Sequence, residues 1–473
     1  MTVTLEKAVK ARYVSFAFNT VSWCGISEFE AFGTTSTKGA LSIEEAGLTR
    51  KEDMKKGYLP PSETALNGAS DLCLLYQRAD RESYTAKTLL PYLAYVDTDG
   101  KIKDTMFDSF LFLMSGKMPS GHNPLGEGDM KDMQWTIDNM FKEGYNILAL
   151  EEAAGQVKSE LNLGKDFKYG VVVTIYDVDP LGTAFGDIDG DGKVDATNTL
   201  EKRLKAFEWY MKTFEAKFAE YNFQNIEFVG YYWFREGVYQ EHDQPELIRR
   251  TADLARARGY SLSWIPWYCA PGASNWKDYG FDLVCMQPNY VFDTEVPEGR
   301  LDQAAHLIQT YGTGVEIEIG YTAMQNPVLR NRYLEYLSGG VKYGYMKDCM
   351  HMYYQEITVY YDTAISKDPK VRMIYDCTYQ FIKGTLNAYP DGVEVSAATA
   401  KDTPVSMKLF DEEKANLAVE LVASPAHGSV TLGNDGTLTY YPEAGFTGTV
   451  TVTFTYNEGL GESDICTATI TVE

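Results

Sequence analysis

The chain has 473 residues, of which 44% are hydrophobic and 23% are charged, so it is too long for one hydrophobic core and predicts two or three domains. Its formal net charge of −24 argues against nucleic acid or an anionic membrane as partner, because both favour a basic surface. Its seven cysteines form no CxxC pair and its five histidines are scattered, which predicts neither a disulfide framework nor a zinc site.

The N-terminal segment contains two runs of alternating character that predict β-strands. They read Ala-Arg-Tyr-Val-Ser-Phe-Ala-Phe-Asn-Thr (11–20) and Ile-Ser-Glu-Phe-Glu-Ala-Phe-Gly (26–33). These runs resemble the last two strands of a discoidin-type (coagulation factor type C) β-sandwich. We therefore expect an N-terminal β fragment over 1–36, too small a part of such a domain to imply a sugar-binding face. Residues 37–67, with Pro60-Pro61 and many small polar residues, are predicted to be a linker.

Eight short apolar runs alternate with helical patterns over residues 68–388. This order predicts an α/β fold, a (β/α)8 TIM barrel. The predicted strands are 71–76, 107–114, 169–176, 226–233, 261–267, 281–287, 314–319 and 342–347. The predicted helices are 130–142, 146–161, 200–221, 245–258, 298–311, 327–337 and 368–386.

Glutamates stand at the ends of two predicted barrel strands. Glu236 follows the fourth strand and Glu318 ends the seventh, the positions of the acid and the nucleophile in many retaining barrel glycosidases. Glu316 points to the same side of its strand as Glu318 and is a reserve candidate. Burying such carboxylates is costly unless they are used or paired. The structural alternative is therefore a salt bridge from Glu316 or Glu318 to Arg235 or Lys347.

Polar and aromatic residues form a collar at the same strand ends. Aromatic faces stack on sugar rings and amides bond hydroxyls, so these residues are predicted to bind substrate, although alternate members could instead pack under the helices. The candidates are Tyr232, Trp233, Arg235, Trp267, Tyr268, Gln287, Asn289, Tyr290 and Lys347. Lys347 could alternatively form a Schiff base, as in barrel aldolases.

An acidic, glycine-containing loop after the third predicted strand has the spacing of a calcium loop. Its candidate ligands, at loop positions 1, 3, 5, 7, 9 and 12, are Asp187, Asp189, Asp191, the Lys193 carbonyl, Asp195 and Asn198. Asn198 replaces the bidentate Glu of a regulatory EF-hand, so we expect a structural Ca2+ bound more weakly. A plain acidic turn is the alternative.

The sequence pattern changes at about residue 392. From there it predicts short strands of alternating character, separated by turns that contain Gly and Pro. Residues 425–450 begin Pro-Ala-His-Gly-Ser-Val-Thr-Leu-Gly-Asn-Asp-Gly-Thr-Leu-Thr-Tyr-Tyr-Pro. The segment 392–473 resembles a bacterial cadherin-like or immunoglobulin-like repeat. That resemblance implies an all-β sandwich that acts as a spacer in an exported multidomain protein.

Several barrel motifs together resemble a bacterial exported family catalogued only as a domain of unknown function. They are Tyr-Trp-Phe-Arg-Glu (232–236), Trp-Ile-Pro-Trp-Tyr (264–268), Ala-Pro-Gly (270–272), Gln-Pro-Asn-Tyr (287–290), Glu-Ile-Glu (316–318) and Gly-Tyr-Met-Lys-Asp (344–348). The resemblance covers about 68–388 and implies a barrel in a carbohydrate context, with no established reaction. This resemblance and the flanking segments imply a secreted or cell-surface protein. No apolar run reaches transmembrane length and the first residues are not a signal peptide, so an exported protein would be represented here without its leader.

The sequence therefore predicts a secreted glycoside hydrolase that cleaves a poly- or oligosaccharide with a Glu/Glu pair. The alternative is a non-catalytic carbohydrate-binding or adhesion protein, because a fold does not by itself settle function. A carbohydrate and other modules of a larger exported protein are the expected partners.

Overall fold

The structure, a computed structural model, describes Val9, residues 38–41 and residues 56–473 except 65, 67, 82, 298, 389, 413, 415, 416 and 459. The predicted discoidin-like strands within 1–36 lie outside the described residues. No helix within the described ranges is long and apolar enough to cross a membrane.

Eight parallel strands close into a barrel, which confirms the predicted fold class. The strands of this region are β1 (Asp71–Gln77), β2 (Ala94–Val96), β3 (Ile102–Thr105), β4 (Ser109–Met114), β5 (Leu125–Gly128), β6 (Tyr169–Ile175), β7 (Asp177–Val178), β8 (Ile226–Trp233), β9 (Ser261–Trp264), β10 (Leu283–Met286), β11 (Gly314–Glu318) and β12 (His351–Tyr354). The order around the barrel is β1-β12-β11-β10-β9-β8-β6-β4, while β2 pairs with β3 and β5 with β7 outside it.

The helices cover the outside of the barrel because each buries one apolar face against the strands. They are α1 (Ala86–Leu93), α2 (Met130–Met140), α3 (Asn146–Glu160), α4 (Leu200–Glu220), α5 (Gln244–Ala257), α6 (Arg300–Tyr311), α7 (Thr322–Gln325), α8 (Pro327–Tyr343), α9 (Val359–Ala364) and α10 (Pro369–Ile382). In α4, for example, Leu204, Phe207, Met211 and Phe214 are buried at helical spacing. The seven predicted helices all form, with small shifts at their ends.

The eighth barrel strand lies later in the chain than predicted. The predicted strand 342–347 is instead the end of α8 and the turn after it, and β12 follows at 351. Helix α8 continues through Gly339 and Gly340, which allow close packing: a Cβ on Gly340 would lie 2.3 Å from the Phe381 ring, and one on Gly339 would lie 2.5 Å from the Tyr345 hydroxyl. The true strand, His-Met-Tyr-Tyr, is too short and polar to stand out as an apolar run.

The C-terminal region is an all-β sandwich, as predicted. Its strands are β13 (Glu394–Thr399), β14 (Val405–Lys408), β15 (Ala418–Ala423), β16 (Ser429–Leu432), β17 (Thr437–Tyr441), β18 (Gly448–Asn457) and β19 (Cys466–Val472). They form one sheet in the order β13-β19-β18-β15 and another in the order β14-β17-β16. Leu438, Val452, Phe454 and Ile470 are fully buried between them, so this region has its own hydrophobic core.

A buried polar network joins β1, β12 and the turn before β12 at the amino ends of the strands, opposite the end where barrel sites form. The Asp71 carboxylate accepts hydrogen bonds from the Tyr353 hydroxyl at 2.6 Å and from His351 Nδ1 at 3.2 Å. His351 Nε2 lies 2.7 Å from the Tyr345 carbonyl oxygen, which can only accept. Both ring nitrogens therefore donate, and His351 is an imidazolium. Burial alone would lower the pKa of His351, but its interactions with Asp71 and Cys349 raise it to about 10.

This pKa predicts that the stabilisation from His351 depends on pH. The folded protein holds the His351 proton more tightly than the unfolded chain, whose ordinary histidine pKa is about 6.5. The stabilisation is therefore complete below pH about 6.5 and is lost as the pH rises toward 10. We expect His351→Gln to lower the free energy of unfolding by about 3 kcal/mol at pH 6, and this difference to shrink steadily by pH 10.

Urea unfolding followed by tryptophan fluorescence measures this difference in the barrel, because six of the seven tryptophans lie between residues 135 and 276 and none lies in the C-terminal sandwich. His427→Gln, in an exposed histidine of the C-terminal sandwich, is the control and should leave the fluorescence transition unchanged. A His351→Gln difference that stays constant from pH 6 to pH 10 would contradict the imidazolium assignment.

Candidate active site

A cavity of about 290 Å³ opens at the carboxyl ends of the barrel strands. Closing the barrel brings the ends of β8, β10, β11 and β12 around this one space, although they are far apart in sequence. Among the described residues, those lining it are Leu74, Tyr76, Leu113, Tyr232, Phe234, Glu236, Ile265, Gln287, Phe292, Glu316, Glu318 and Tyr354. All three predicted glutamates therefore face the same cavity.

Glu318 is buried and held by three hydrogen bonds. Its Oε2 accepts from the Asn289 backbone N–H at 2.6 Å and from the Tyr336 hydroxyl at 2.5 Å. Its Oε1 accepts from the Asn289 side-chain amide at 3.1 Å. Burial raises the pKa of Glu318 to about 7, although these three donors act in the opposite direction by stabilising the anion. The result is a fixed carboxylate poised between its two protonation states near neutral pH.

Glu316 lies two residues earlier on β11 and is also buried, with 2% of its surface exposed. In the described part of the chain no donor hydrogen-bonds to its carboxyl group, which faces the cavity. Burial and the negative charges of Glu318 and Glu236 raise the pKa of Glu316 well above its usual value. Burial and these neighbouring charges therefore favour the protonated form of Glu316.

Glu236 belongs to the loop after β8 and retains an exposed surface while lining the cavity. The loop is anchored by the Trp264 indole N–H, which donates to the Arg235 carbonyl oxygen at 2.8 Å, and by the Val238 N–H, which donates to the Pro271 carbonyl oxygen at 2.9 Å. The surrounding protein raises the pKa of Glu236, and a hydrogen bond with Gln287 partly offsets this effect. Glu236 can therefore exchange its proton with water or with a ligand in the cavity.

Gln287 and Asn289 connect Glu236 with Glu318. The Gln287 side chain hydrogen-bonds to Glu236, and its Oε1 accepts from the Asn289 side-chain amide at 2.9 Å. Asn289 in turn donates to Glu318 and adopts a left-handed backbone with φ of 49°. Arg300 fixes this turn by donating to the carbonyl oxygens of Pro288 and Asn289. The motif 287–290 thus supports the carboxyl groups as well as lining the site.

The remaining predicted substrate-binding residues divide by position. Tyr232 and Gln287 line the cavity, whereas Trp233 is buried against Phe207 on the outside of the barrel. Tyr268 lies under the Arg300 guanidinium, and the Tyr290 hydroxyl donates to Glu335. Trp267, Tyr268, Asn289 and Tyr290 surround the site without lining the cavity, as far as the described residues show.

The two cations considered as partners of the glutamates are both elsewhere. Arg235 pairs with Asp177, its Nη2 lying 2.6 Å from a carboxylate oxygen. Lys347 precedes β12 and is exposed near Gly384, at the amino ends of the strands, so its prediction as a substrate-binding or Schiff-base lysine is wrong. The error follows from the misplaced eighth strand.

Sequence reasoning missed the aromatic wall of the cavity. Tyr76 ends β1, Tyr354 ends β12 and Phe292 follows β10; Tyr354 contacts both of the others edge-on, with ring centroids 5.7 Å and 5.5 Å apart. Phe292 is 46% exposed, so its ring is accessible at the mouth of the cavity that it lines. A correct eighth strand would have pointed to Tyr354, and the strand-end rule to Tyr76.

The acidic loop after β6 brings three of its predicted ligands together. Carboxylate oxygens of Asp187, Asp189 and Asp195 lie within 4.8 Å of one another. Asp191 instead pairs with Lys193 Nζ at 2.9 Å, and Asn198 accepts from Lys202 Nζ at 3.1 Å. The Asp187 carboxylate also accepts three loop N–H groups, from Gly190, Asp191 and Gly192. This loop geometry is compatible with the predicted calcium site.

The fold and the site define a (β/α)8 barrel with an acidic cavity at the carboxyl ends of its strands, followed by an all-β sandwich. Residues 71–380 match the family described as "Domain of unknown function (DUF4855)", and the chain belongs to this family. Residues 387–473 match the family described as "Bacterial Ig domain". No curated protein sequence matches the chain.

Solved structures with a similar fold are distant. An endo-fucoidan hydrolase from glycoside hydrolase family 107 shares 10% identity with a TM-score of 0.34, over 88% of this chain and 68% of that one. A cell-surface chitinase from Paenibacillus sp. str. FPU-7 shares 12% with a TM-score of 0.35, over 85% and 42%. The tryptophan synthase α-subunit from Pyrococcus furiosus shares 12% with a TM-score of 0.32, over 67% and 98%. A fold does not by itself settle function, which is argued below from the site.

The hydrogen bond from Tyr336 to Glu318 leads to a testable prediction. Removing the hydroxyl in Tyr336→Phe takes away a donor that stabilises the carboxylate, so the pKa of Glu318 should rise further above about 7. Infrared titration of the carboxyl bands measures the shift, with Glu318→Gln identifying the band.

Tyr333→Phe provides a matched control on the same helix. Its hydroxyl is also buried but bonds to Tyr360 and Thr378 rather than to Glu318. If the two Phe variants shift the Glu318 band equally, Tyr336 is not what tunes this carboxyl group.

Proposed function

We propose that the barrel is a glycoside hydrolase that cleaves a poly- or oligosaccharide in the cavity at its strand ends. The observation that carries the proposal is the set of three glutamates facing one cavity with an aromatic wall. Hydrolysis of a glycosidic bond needs one carboxylic acid to protonate the leaving oxygen and one carboxylate to attack the anomeric carbon or activate water. Aromatic faces such as Tyr76, Phe292 and Tyr354 suit sugar rings.

The different environments of the glutamates support the assignment of roles. Glu318 accepts three hydrogen bonds that stabilise its anion, so it is the nucleophile or the second catalytic carboxylate. Glu236 accepts one hydrogen bond, has a raised pKa and is open to the cavity, which suits a general acid that later acts as base. Glu316 stays a reserve candidate for the carboxylate role. Tyr232 and Gln287 would contact the sugar.

The roles predict that Glu318→Gln lowers turnover on the order of 10³-fold while the protein still folds, because the amide keeps the shape but cannot carry the charge. A panel of neutral, amino and acidic polysaccharides, assayed for new reducing ends, identifies a substrate for the measurement. Glu236→Gln should also lose most of its activity.

Glu241→Gln is the control, since Glu241 is exposed in the same loop and does not line the cavity. Circular dichroism verifies that each variant is folded. Near-normal turnover by Glu318→Gln would contradict the assignment of Glu318 as a catalytic carboxylate. Binding of a glycan by the unmodified protein without any product after long incubation would favour the non-catalytic, carbohydrate-binding alternative.

We also propose that the loop 187–198 binds a structural Ca2+. Asp187, Asp189 and Asp195 would supply carboxylate oxygens, and hard oxygen ligands are what calcium prefers. The loop adjoins the carboxyl end of the barrel, since Phe185 accepts a hydrogen bond from the Met130 N–H at the start of α2. A bound ion would therefore brace the loops on the side of the cavity.

Adding millimolar calcium to the EDTA-treated protein should raise its melting temperature by a few degrees, since a ligand that binds only the folded state stabilises it. The double substitution Asp187→Asn and Asp195→Asn should abolish the shift. Asp166→Asn, at an exposed carboxylate outside the loop, should retain it. An equal shift in all three proteins would mean that calcium acts elsewhere.

A further inference from the structure

We infer that the cavity selects a sugar unit carrying a protonated amine, as in a 2-amino-2-deoxy glycan, over the same unit acetylated on nitrogen or bearing a carboxylate. The inference rests on the proposed carbohydrate site and names its substrate class. Three of the residues that line the cavity are glutamates, and the described lining residues include no Lys, Arg or His. A ligand must supply any positive charge the cavity receives.

Two arginines that follow barrel strands, Arg235 and Arg300, are engaged outside the cavity. Arg235 is paired with Asp177, and Arg300 donates to the carbonyl oxygens of Pro288 and Asn289 while covering the Tyr268 ring. Neither lines the cavity. Any negative charge on Glu236, Glu316 or Glu318 is therefore not balanced by a cation among the described residues that line the cavity.

Glu316 is the cavity glutamate to which a ligand could supply a hydrogen-bond donor. Only 2% of the surface of Glu316 is exposed, and its carboxyl group faces the cavity. No donor in the described chain forms a hydrogen bond to this carboxyl group. A buried carboxyl group without a partner is costly, and a ligand ammonium would provide both a donor and a compensating charge. Charge-assisted hydrogen bonds are about twice as strong as neutral ones, so an amine gains more here than a hydroxyl.

The spacing of the glutamates favours an organic cation over a metal ion. Groups of three acidic or histidine ligand atoms within 4.8 Å of one another occur in the described chain at His122, Asp129 and Asp132 and at Asp187, Asp189 and Asp195, but not among the three cavity glutamates. One metal ion could not bind all three. The aromatic wall adds to the preference, because Tyr rings attract ammonium groups over their faces.

Pairs of oligosaccharides that differ only at nitrogen test this inference. Amine-bearing oligomers of several linkages, beginning with β-1,4-linked glucosamine, are compared with the same oligomers after N-acetylation by titration calorimetry at pH 6. We expect at least one amine-bearing oligomer to bind about tenfold or more tightly than its acetylated form, about 1.4 kcal/mol in favour of the amine. Glu316→Gln should reduce that ratio at least about threefold, while Glu241→Gln should leave it unchanged.

Binding and turnover are scored separately, so the two proposals fail in different ways. Preferred binding of the amine without any cleavage would uphold the selectivity and overturn the hydrolase assignment. Cleavage of a neutral glycan with no preference for the amine would do the opposite. Equal binding within every pair, or no binding of any amine-bearing oligomer, overturns the selectivity even if Glu316→Gln fails to fold, because both outcomes are measured on the unmodified protein.

Discussion

The constraint on which the site depends is the placement of three carboxyl groups in one largely enclosed space. Closure of the barrel brings Glu236, Glu316 and Glu318 together, and like charges in a cavity of about 290 Å³ cannot all be ionised without cost. The three glutamates receive different numbers of hydrogen bonds to offset this cost. Glu318 receives three donors, Glu236 receives one and Glu316 receives none from the described chain. Their proton affinities differ for this reason, and such a difference separates acid from carboxylate in hydrolytic sites.

The motif 287–290 shows how the protein fixes this arrangement. Asn289 reaches Glu318 with both its backbone and its side chain only because its backbone is left-handed, with φ of 49°. Asparagine tolerates this conformation better than most residues, and Arg300 holds the turn from outside. The left-handed backbone of Asn289 at the strand end thereby fixes the position of the Glu318 carboxylate.

The two ends of the barrel carry different kinds of buried charge. At the amino end Asp71 and His351 neutralise each other and every ring nitrogen of His351 is bonded, which suits a structural role. At the carboxyl end the ionisable side chains that line the cavity are all acidic, and among the described residues one carboxyl group has no hydrogen-bond donor. An unsatisfied group facing a cavity is a feature that a ligand can complete, whereas a satisfied network is not.

The sequence alone determined seven of the eight barrel strands, the order of seven helices between and after them, the change to an all-β C-terminal region, and the position of Glu236 and Glu318 at strand ends. These features are local: apolar runs of strand length, apolar residues at helical spacing and turn residues identify them without knowledge of the partner elements. The sequence was wrong at the eighth strand, because α8 continues through Gly339 and Gly340 to Tyr343, and the packing of these glycines against Tyr345 and Phe381 is a tertiary contact.

Only the tertiary structure decided which groups meet in the cavity. Tyr76 and Phe292 are separated from Tyr354 along the chain and join it through ring contacts. Arg235 follows β8 beside Glu236, yet it turns to Asp177 and leaves the glutamates unpaired. The direction of a side chain at a strand end depends on which neighbour offers the better partner, and that choice exists only once the barrel has closed.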